Sequence, residues 1–432
     1  PQPVQDTGIR LTVPVGFRNY HADIWQGDDP GPRTYFIRRD EFFDRSQLYN
    51  LPDRDYDDNF ERFVFFQKAA VALLDKLAWK PDIVHGNDWQ CGLIPFFLEH
   101  GLQGMTRGRR EKVLFTIHNL AYQGVFPGSD YALTNLPFNA FSVDTMEFYG
   151  QVSCLKAGIM GADLVSTVSP TYAREIQTPA GGFGMEGVLT AIRDRLVGIL
   201  NGMDTTVWNP GQDPRIPANF DARNPGGKRV CRQKLAARMQ LQLKPGTSLI
   251  GMVTRMVDLK GMDILAEAMP ELMKRDVAIV VLGSGQATYH ERCAEWARQW
   301  PGRFAVRLGY DAQLSHEIQA GSDMILIPSK YEPCGLTQFY GQRYGSIPVV
   351  HAVGGLEDSV VDVSDSGDRG TGVKFKEYTS AALVSAVDRA LALFAQPAVW
   401  SAIMRRGMDM DFSWDGPARA YAAAYRRIAP GA

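Results

Sequence analysis

Residues 322–345 read SDMILIPSKYEPCGLTQFYGQRYG, and the order of apolar, turn and helical residues within them decides the fold. Met324 to Ile327 is a short apolar run bounded by turn residues, the pattern of a strand buried on both faces of a parallel sheet. Leu336, Phe339, Tyr340 and Tyr344 then recur at helical spacing. Between the two lies Glu332-Pro333-Cys334-Gly335, where strand turns into helix. In an open α/β sheet that junction sits at the carboxyl ends of the strands, beside the ligand crevice. Glu332 is therefore expected to point at a substrate.

The same alternation runs through most of the chain. VLFTIHN (113–119), ADLVSTVS (162–169), LVGILNG (196–202), LIGMVTR (249–255), VAIVVLG (277–283), FAVRLGY (304–310) and IPVVHA (347–352) read as strands. Amphipathic stretches such as RFVFFQKAAVALLDKLAW and GMDILAEAMPELMKR separate them. This is the sequence of βαβ units, so the class is α/β with doubly wound parallel sheets. Residues 203–228 are rich in Pro, Gly and Asn and read as a linker. The expected domains are 1–206 and 207–411, with 412–432 a C-terminal helix returning to the first domain.

Composition excludes several function classes. The 432 residues exceed one ordinary core, and 45% hydrophobic with 22% charged is a common globular balance. Lys and Arg total 46 against 48 Asp and Glu, so no global basic field exists to gather nucleic acid or an anionic membrane. Cysteines 91, 154, 231, 293 and 334 are odd in number, scattered and without a CxxC pair. That argues for free thiols in a reducing compartment rather than disulfides or structural zinc. The opening PQPVQDTGIR has no leader-like charge pattern or apolar core, and no run reaches the length of a membrane helix.

Six motifs bear on chemistry. GFGMEG (182–187) satisfies GxGxxG, but helix-like and loop-like residues precede it instead of a strand, so a dinucleotide site is not expected. A loop followed by the helix GVLTAIRDRL is the better reading. TRMVDLKG (254–261) places Arg255 and Lys260 on one loop after a strand, and two fixed cations suit a diphosphate. A helix starting at 335–337 adds free amides that favour the same ligand. HGNDWQCGL (85–93) and TIHNLAYQG (116–124) leave Asp88, His118 and Asn119 at strand ends. His85, His118 and Asp88 lack metal-ligand spacing, and the acidic DRD (53–55) and DMD (409–411) read as solvated loops. No metal site is expected.

Together and in this order, these motifs resemble the bacterial glycogen synthase and plant starch synthase family. The resemblance spans nearly the whole chain and includes LKAGIMGADLVSTVSPTYAREI, GILNGMDTTVWNP and GGLEDSV. It implies a GT-B fold, two Rossmann-like domains facing a cleft. It also implies transfer of glucose from ADP-glucose to the non-reducing end of an α-1,4-glucan, retaining configuration, with no cofactor and no required metal. The implied setting is a bacterial cytoplasm or a plastid stroma. Carried over by position, Glu332, Arg255, Lys260 and His118 are the expected catalytic residues. Asp88, Asn119, Asn201, Tyr310, Cys334, Gly335, Leu336, Thr337, Gly354 and Tyr49 are the expected substrate-binding ones.

Two departures from the family pattern stand out. Asn87 replaces a usual His, and the first strand with its KTGGL loop has no counterpart, PGGK (225–228) being in the linker. The expectation is a first domain short of its first β-loop-α unit. The rival readings are a homologue that binds glucan or nucleotide with little transfer, and a phosphorylase-like enzyme of the same architecture.

Overall fold

A computed structural model of the chain describes residues 3–28, 30–51, 54–102, 111–364 and 369–431. Two compact units divide it. The first takes residues 1–167, 176–197 and 421–432, the second 168–175 and 198–420.

The second unit is built on six parallel strands. Their spatial order is Phe304–Leu308, Val277–Gly285, Ser248–Met256, Met324–Ile327, Ile347–His351 and Val373–Phe375. Residues 277–282 are buried throughout, because helices cover both faces of the sheet. Met262, Leu265, Met269 and Leu383 pack one face, and Leu235, Leu314, Ile318 and Leu356 the other. Counted along the chain the order is third, second, first, fourth, fifth, sixth. The direction of winding therefore reverses between Ser248–Met256 and Met324–Ile327, which opens a crevice at their carboxyl ends.

The first unit holds a four-stranded sheet ordered Leu196–Gly198, Leu164–Thr167, Lys112–Ile117, Ile83–Asn87. The last three pair in parallel, and Ile83–Asn87 forms one edge. Residues 4–38 do not join it. They form an antiparallel sheet of Val4–Val15, Arg18–Gly27 and Tyr35–Arg38, with Leu11, Val13 and Val15 buried and Arg10 and Thr12 exposed in alternation. Helix Asn59–Lys76 pins this hairpin, its Lys68 Nζ donating to Pro14 O at 2.8 Å and Asn135 Oδ1 at 2.7 Å.

The Pro- and Gly-rich stretch at 203–228 is a correction to the linker reading. It lies inside the second unit, whose longer stretch begins at Gly198 instead of 207. Its apolar residues explain why. Trp208 is stacked between His316 and Tyr340 at 3.8 and 3.7 Å, and Ile216 and Phe220 are buried. The carboxylate of buried Asp213 accepts from Tyr344 Oη and pairs with His316 Nδ1, both at 2.6 Å.

In the first unit, His85 Nδ1 meets Tyr425 Oη at 2.9 Å and Nε2 meets Thr116 Oγ1 at 2.6 Å, with Ser166 Oγ next in the chain of hydroxyls. Burial, helped by the nearby His118, pushes the ring down from 6.5 to about 4, so it stays neutral in the fold. The unfolded ring takes up a proton below about pH 6.5, so this contribution is present above that pH and is lost as pH falls toward 4. The thermal midpoint is therefore expected to fall between about pH 7 and pH 5, and His85→Gln to flatten that slope. A slope unchanged by the substitution contradicts the assignment.

Candidate active site

At the switch point of the second unit, Lys260 Nζ donates to Glu332 Oε2 at 2.6 Å. The two come from the loops that leave the adjacent strands Ser248–Met256 and Met324–Ile327. Their side chains are only 17% and 11% exposed, so the pair is largely removed from water. Ser329 Oγ donates to the same Oε2 at 2.9 Å, which fixes the carboxylate from a second side.

The loop geometry has a backbone cause. Gly261 has φ +79, and a Cβ there would run into the Pro328 carbonyl, so only glycine lets the Lys260 loop lie against the loop carrying Ser329. Lys330 N–H closes the approach by donating to Leu259 O at 3.1 Å. Tyr289 bonds the Asp258 carboxylate, and Tyr378 Oη donates to Asp258 O at 3.2 Å and to Asp263 Oδ1 at 2.5 Å.

Thr254, Arg255, Lys260, Pro328, Ser329 and Thr337 line a cavity of about 180 Å³ at this point. The remaining expected residues of the second unit sit near it or apart from it in ways the structure makes plain. Thr337 opens helix Thr337–Arg343, with Leu336 as its cap residue, and Gly335 before it has φ +69. The Gly335 turn is tight, since a Cβ there would come within 2.6 Å of Gln338 Oε1. Gly354 lies against the Glu332 carbonyl, and Gly355 N–H donates to that carbonyl at 3.1 Å. Burial raises the Cys334 thiol to about 12 against a bond to the Asn201 backbone, so it stays protonated and is no nucleophile at neutral pH. Tyr310 follows strand Phe304–Leu308 and is 94% exposed.

Within the first unit, Asp88 and His118 lie at the ends of two adjacent strands. Asp88 follows strand Ile83–Asn87 with φ 57 and ψ 179, a conformation that costs a non-glycine residue energy and is held by its surroundings. Its Oδ1 accepts from His118 N–H at 2.8 Å and its own N–H donates to Thr116 O at 2.9 Å. Burial raises the carboxyl above its ordinary value, while His118 and the amides of His118 and Asn119 oppose the rise. His118 Nε2 lies 2.9 Å from Asn87 Oδ1, so the residue standing where the family has a His is in direct touch with it. Asn119 Oδ1 caps its own turn through Ala121 N–H at 3.0 Å. Tyr49 is linked to the Asp88 turn through two aromatic rings. Its ring packs at 6.0 Å on Phe63, which meets Trp89, the neighbour of Asp88, at 4.8 Å.

The motifs set aside from sequence sit accordingly. GFGMEG follows helix Pro170–Glu175 and turns, and its last two residues open the short helix Glu186–Ala191. Asp411 accepts from Ser413 N–H at 2.9 Å, an exposed local turn, while Asp53 of DRD lies outside the described residues. Among the described residues no group of three His, Cys, Asp or Glu is arranged to hold a metal, and no single helix is long and apolar enough to cross a membrane. Sequence reasoning did not single out Ser329, Gly355 or Asn87 as partners. Ser329 stood in the decisive motif, but nothing in its spacing marks it as bonded to Glu332.

Comparison with known proteins agrees with this fold. Residues 2–191 match the family model for the starch synthase catalytic domain, and residues 233–403 that for glycosyl transferases group 1. The structure superposes on the catalytic domain of starch synthase IV from Arabidopsis thaliana, solved bound to ADP and acarbose. The TM-score is 0.90 at 32% identity, over 99% of this chain and 89% of that one. It shares its fold with the sucrose-phosphate synthase of Thermosynechococcus elongatus, at TM-score 0.58, 18% identity and 94% and 87% coverage. The architecture is thus that of a GT-B glycosyltransferase.

Among curated relatives, a glycogen synthase of Anaeromyxobacter dehalogenans is 46% identical over 94% of this chain and 85% of its own length. Glycogen synthase 2 of Geobacter sulfurreducens is 42% identical over 93% and 83%. The chain belongs to the glycogen and starch synthase family of glucosyltransferases.

Because a methyl group at 261 meets the Pro328 carbonyl and φ is positive, Gly261→Ala is expected to cost about 1–3 kcal/mol of stability. Transfer should also drop, because Lys260 is the next residue. Denaturant unfolding checks it, and unchanged stability with unchanged activity contradicts the close approach.

Proposed function

We propose that this glucosyltransferase takes glucose from ADP-glucose and adds it, with retention of configuration, to the non-reducing end of an α-1,4-glucan such as glycogen or starch. The observation that carries this reading is the Lys260–Glu332 pair at the switch point, with Lys260 and Arg255 lining one cavity. Lys260 offers two further N–H donors besides the one Glu332 takes, and Arg255 a planar fork. These suit the two phosphates of a nucleoside diphosphate whose charge grows as it leaves.

Glu332 in this reading accepts from hydroxyls of the donor glucose and favours the positive charge developing at its anomeric carbon. It need not act as a covalent nucleophile. Asp88, His118, Asn119 and Asn201 serve the sugar side, the His118 carbonyl receiving the acceptor hydroxyl, and Tyr310, Gly335, Leu336, Thr337 and Gly354 serve the donor. The adenine nucleotide is supported by the ADP held in the Arabidopsis relative. No cofactor enters, since the two cations supply the charge stabilisation that a metal supplies elsewhere. The bacterial relatives and five unpaired cysteines support a cytoplasmic setting.

Incubation with glucose-labelled ADP-glucose and glycogen is expected to place label in polymer that β-amylase releases as maltose. No incorporation, or incorporation at least about tenfold faster from UDP-glucose, overturns the reading. EDTA is expected to leave the rate nearly unchanged, whereas inhibition reversed by magnesium contradicts the role given to the cations. Glu332→Gln keeps the bonds to Lys260 and Ser329 but removes the charge. It is expected to melt near the wild-type temperature and to transfer glucose about a hundredfold more slowly. Normal transfer, or a collapse in stability, would count against the role of Glu332.

A further inference from the structure

Residues 168–175 belong to the second unit, although the chain on either side of them belongs to the first. Their helix, Pro170–Glu175, and helix Gly354–Ser359 cap each other head to tail. Asp358, late in the second helix, accepts from Thr171 N–H at 2.9 Å, Thr171 Oγ1 at 2.6 Å and Ser169 Oγ at 2.5 Å, all at the start of the first. Glu175, the last residue of the first helix, accepts from Gly354 N–H at 3.0 Å at the start of the second. Helices this short do not hold themselves, and each carboxylate satisfies amides that the other helix leaves open.

The same turn grips the residue assigned to the donor glucose. Gly355 N–H is shared between the carbonyls of Glu332 and Pro333, each at 3.1 Å. Gly354, at φ +45, packs so closely on the Glu332 carbonyl that no side chain fits there. Tyr172 of the same segment bonds the hydroxyl of Tyr331, the residue before Glu332. The side chain of Glu332 is set by Lys260 and Ser329, while its backbone is set by Gly355.

We propose that Glu175, acting through the Gly354-Gly355 turn, is a positioning residue that fixes Glu332 for glucosyl transfer. This rests on the role given to Glu332 above. Glu175 touches neither sugar nor phosphate in this arrangement. It removes the freedom of a glycine pair that would otherwise let the Glu332 backbone drift, and misplacement of a catalytic group by about 1 Å can cost up to about a hundredfold in rate.

The test uses the full chain with ADP-glucose and glycogen, comparing Glu175→Ala, Glu175→Gln, Glu332→Gln and the double variant Glu175→Ala with Glu332→Gln. Glu175→Ala is expected to lower kcat about tenfold, with KM for ADP-glucose within about threefold and one ADP bound per chain by calorimetry. Glu175→Gln keeps an acceptor oxygen for Gly354 and is expected to recover most of the rate. With Glu332→Gln already present, Glu175→Ala should add less than about a twofold loss, because the group it positions is gone.

A normal kcat in Glu175→Ala beside a crippled Glu332→Gln overturns this inference alone. A loss matched by missing ADP sites, or one that multiplies with the Glu332→Gln loss, does the same. Wild-type transfer by Glu332→Gln overturns the role of Glu332 and this inference with it. Should Glu175→Ala not fold, Glu175→Asp keeps the charge but draws the carboxylate back from the Gly354 amide. A fall in kcat there that disappears when combined with Glu332→Gln supports the proposal, and an unchanged kcat overturns it.

Discussion

The bond between Lys260 and Glu332 is the contact on which the rest of the site depends. It forms where the winding of a six-stranded parallel sheet reverses, so that two loops part and leave a crevice between them. Three backbone features make the contact possible. Gly261 lets the Lys260 loop pass against Pro328, Gly354 lets the turn at 354–355 lie on the Glu332 carbonyl, and the Asp258 loop is tied down by Tyr289 and Tyr378. Each is a place where a side chain or a looser loop would part the ion pair.

An ion pair this sheltered is a weak source of stability, because removing both charges from water cancels most of what their attraction returns. In the function proposed above, its value lies in preorganisation. A cation held in place before the nucleotide sugar arrives needs no rearrangement when the diphosphate begins to leave, and such fixed charge is commonly the largest contribution to catalysis. The first unit shows a comparable expense at Asp88, whose strained backbone is kept by bonds to Thr116 and His118. The first unit thus spends conformational energy at the end of a parallel strand, the place where an open α/β sheet meets its ligand.

Much of this was legible in the sequence because buried parallel strands are short, apolar and bounded by turn residues. MILI at 324–327 and IPVVH at 347–351 are strands in the structure as their composition predicts. The antiparallel hairpin at 4–27 was harder to read. Its period-two signal in Arg10 to Val15 is broken by Gly8, Pro14 and Gly16, and its partner strand is fixed by pairing that no local pattern announces. The stretch at 203–228 misleads for a different reason. Proline and glycine mark it as irregular, which it is, but irregular backbone can still be packed, here by Trp208 and Asp213. Lys260 and Glu332 were each visible as charges at strand ends. That they meet, and that Ser329 and Gly355 hold Glu332 in place, depends on register and tertiary approach, and neither is written in spacing.

The most direct measurement is the affinity of the protein for ADP, read by calorimetry at low and constant salt for the wild type and for Lys260→Ala. If Lys260 is the fixed cation for the diphosphate, the substitution should weaken ADP binding by roughly ten- to a hundredfold, since a charge-assisted bond is worth about 1.5–3 kcal/mol. Adenosine, which has no phosphate, should show no comparable difference between the two proteins. Lys260→Ala binding ADP as tightly as the wild type would contradict the account.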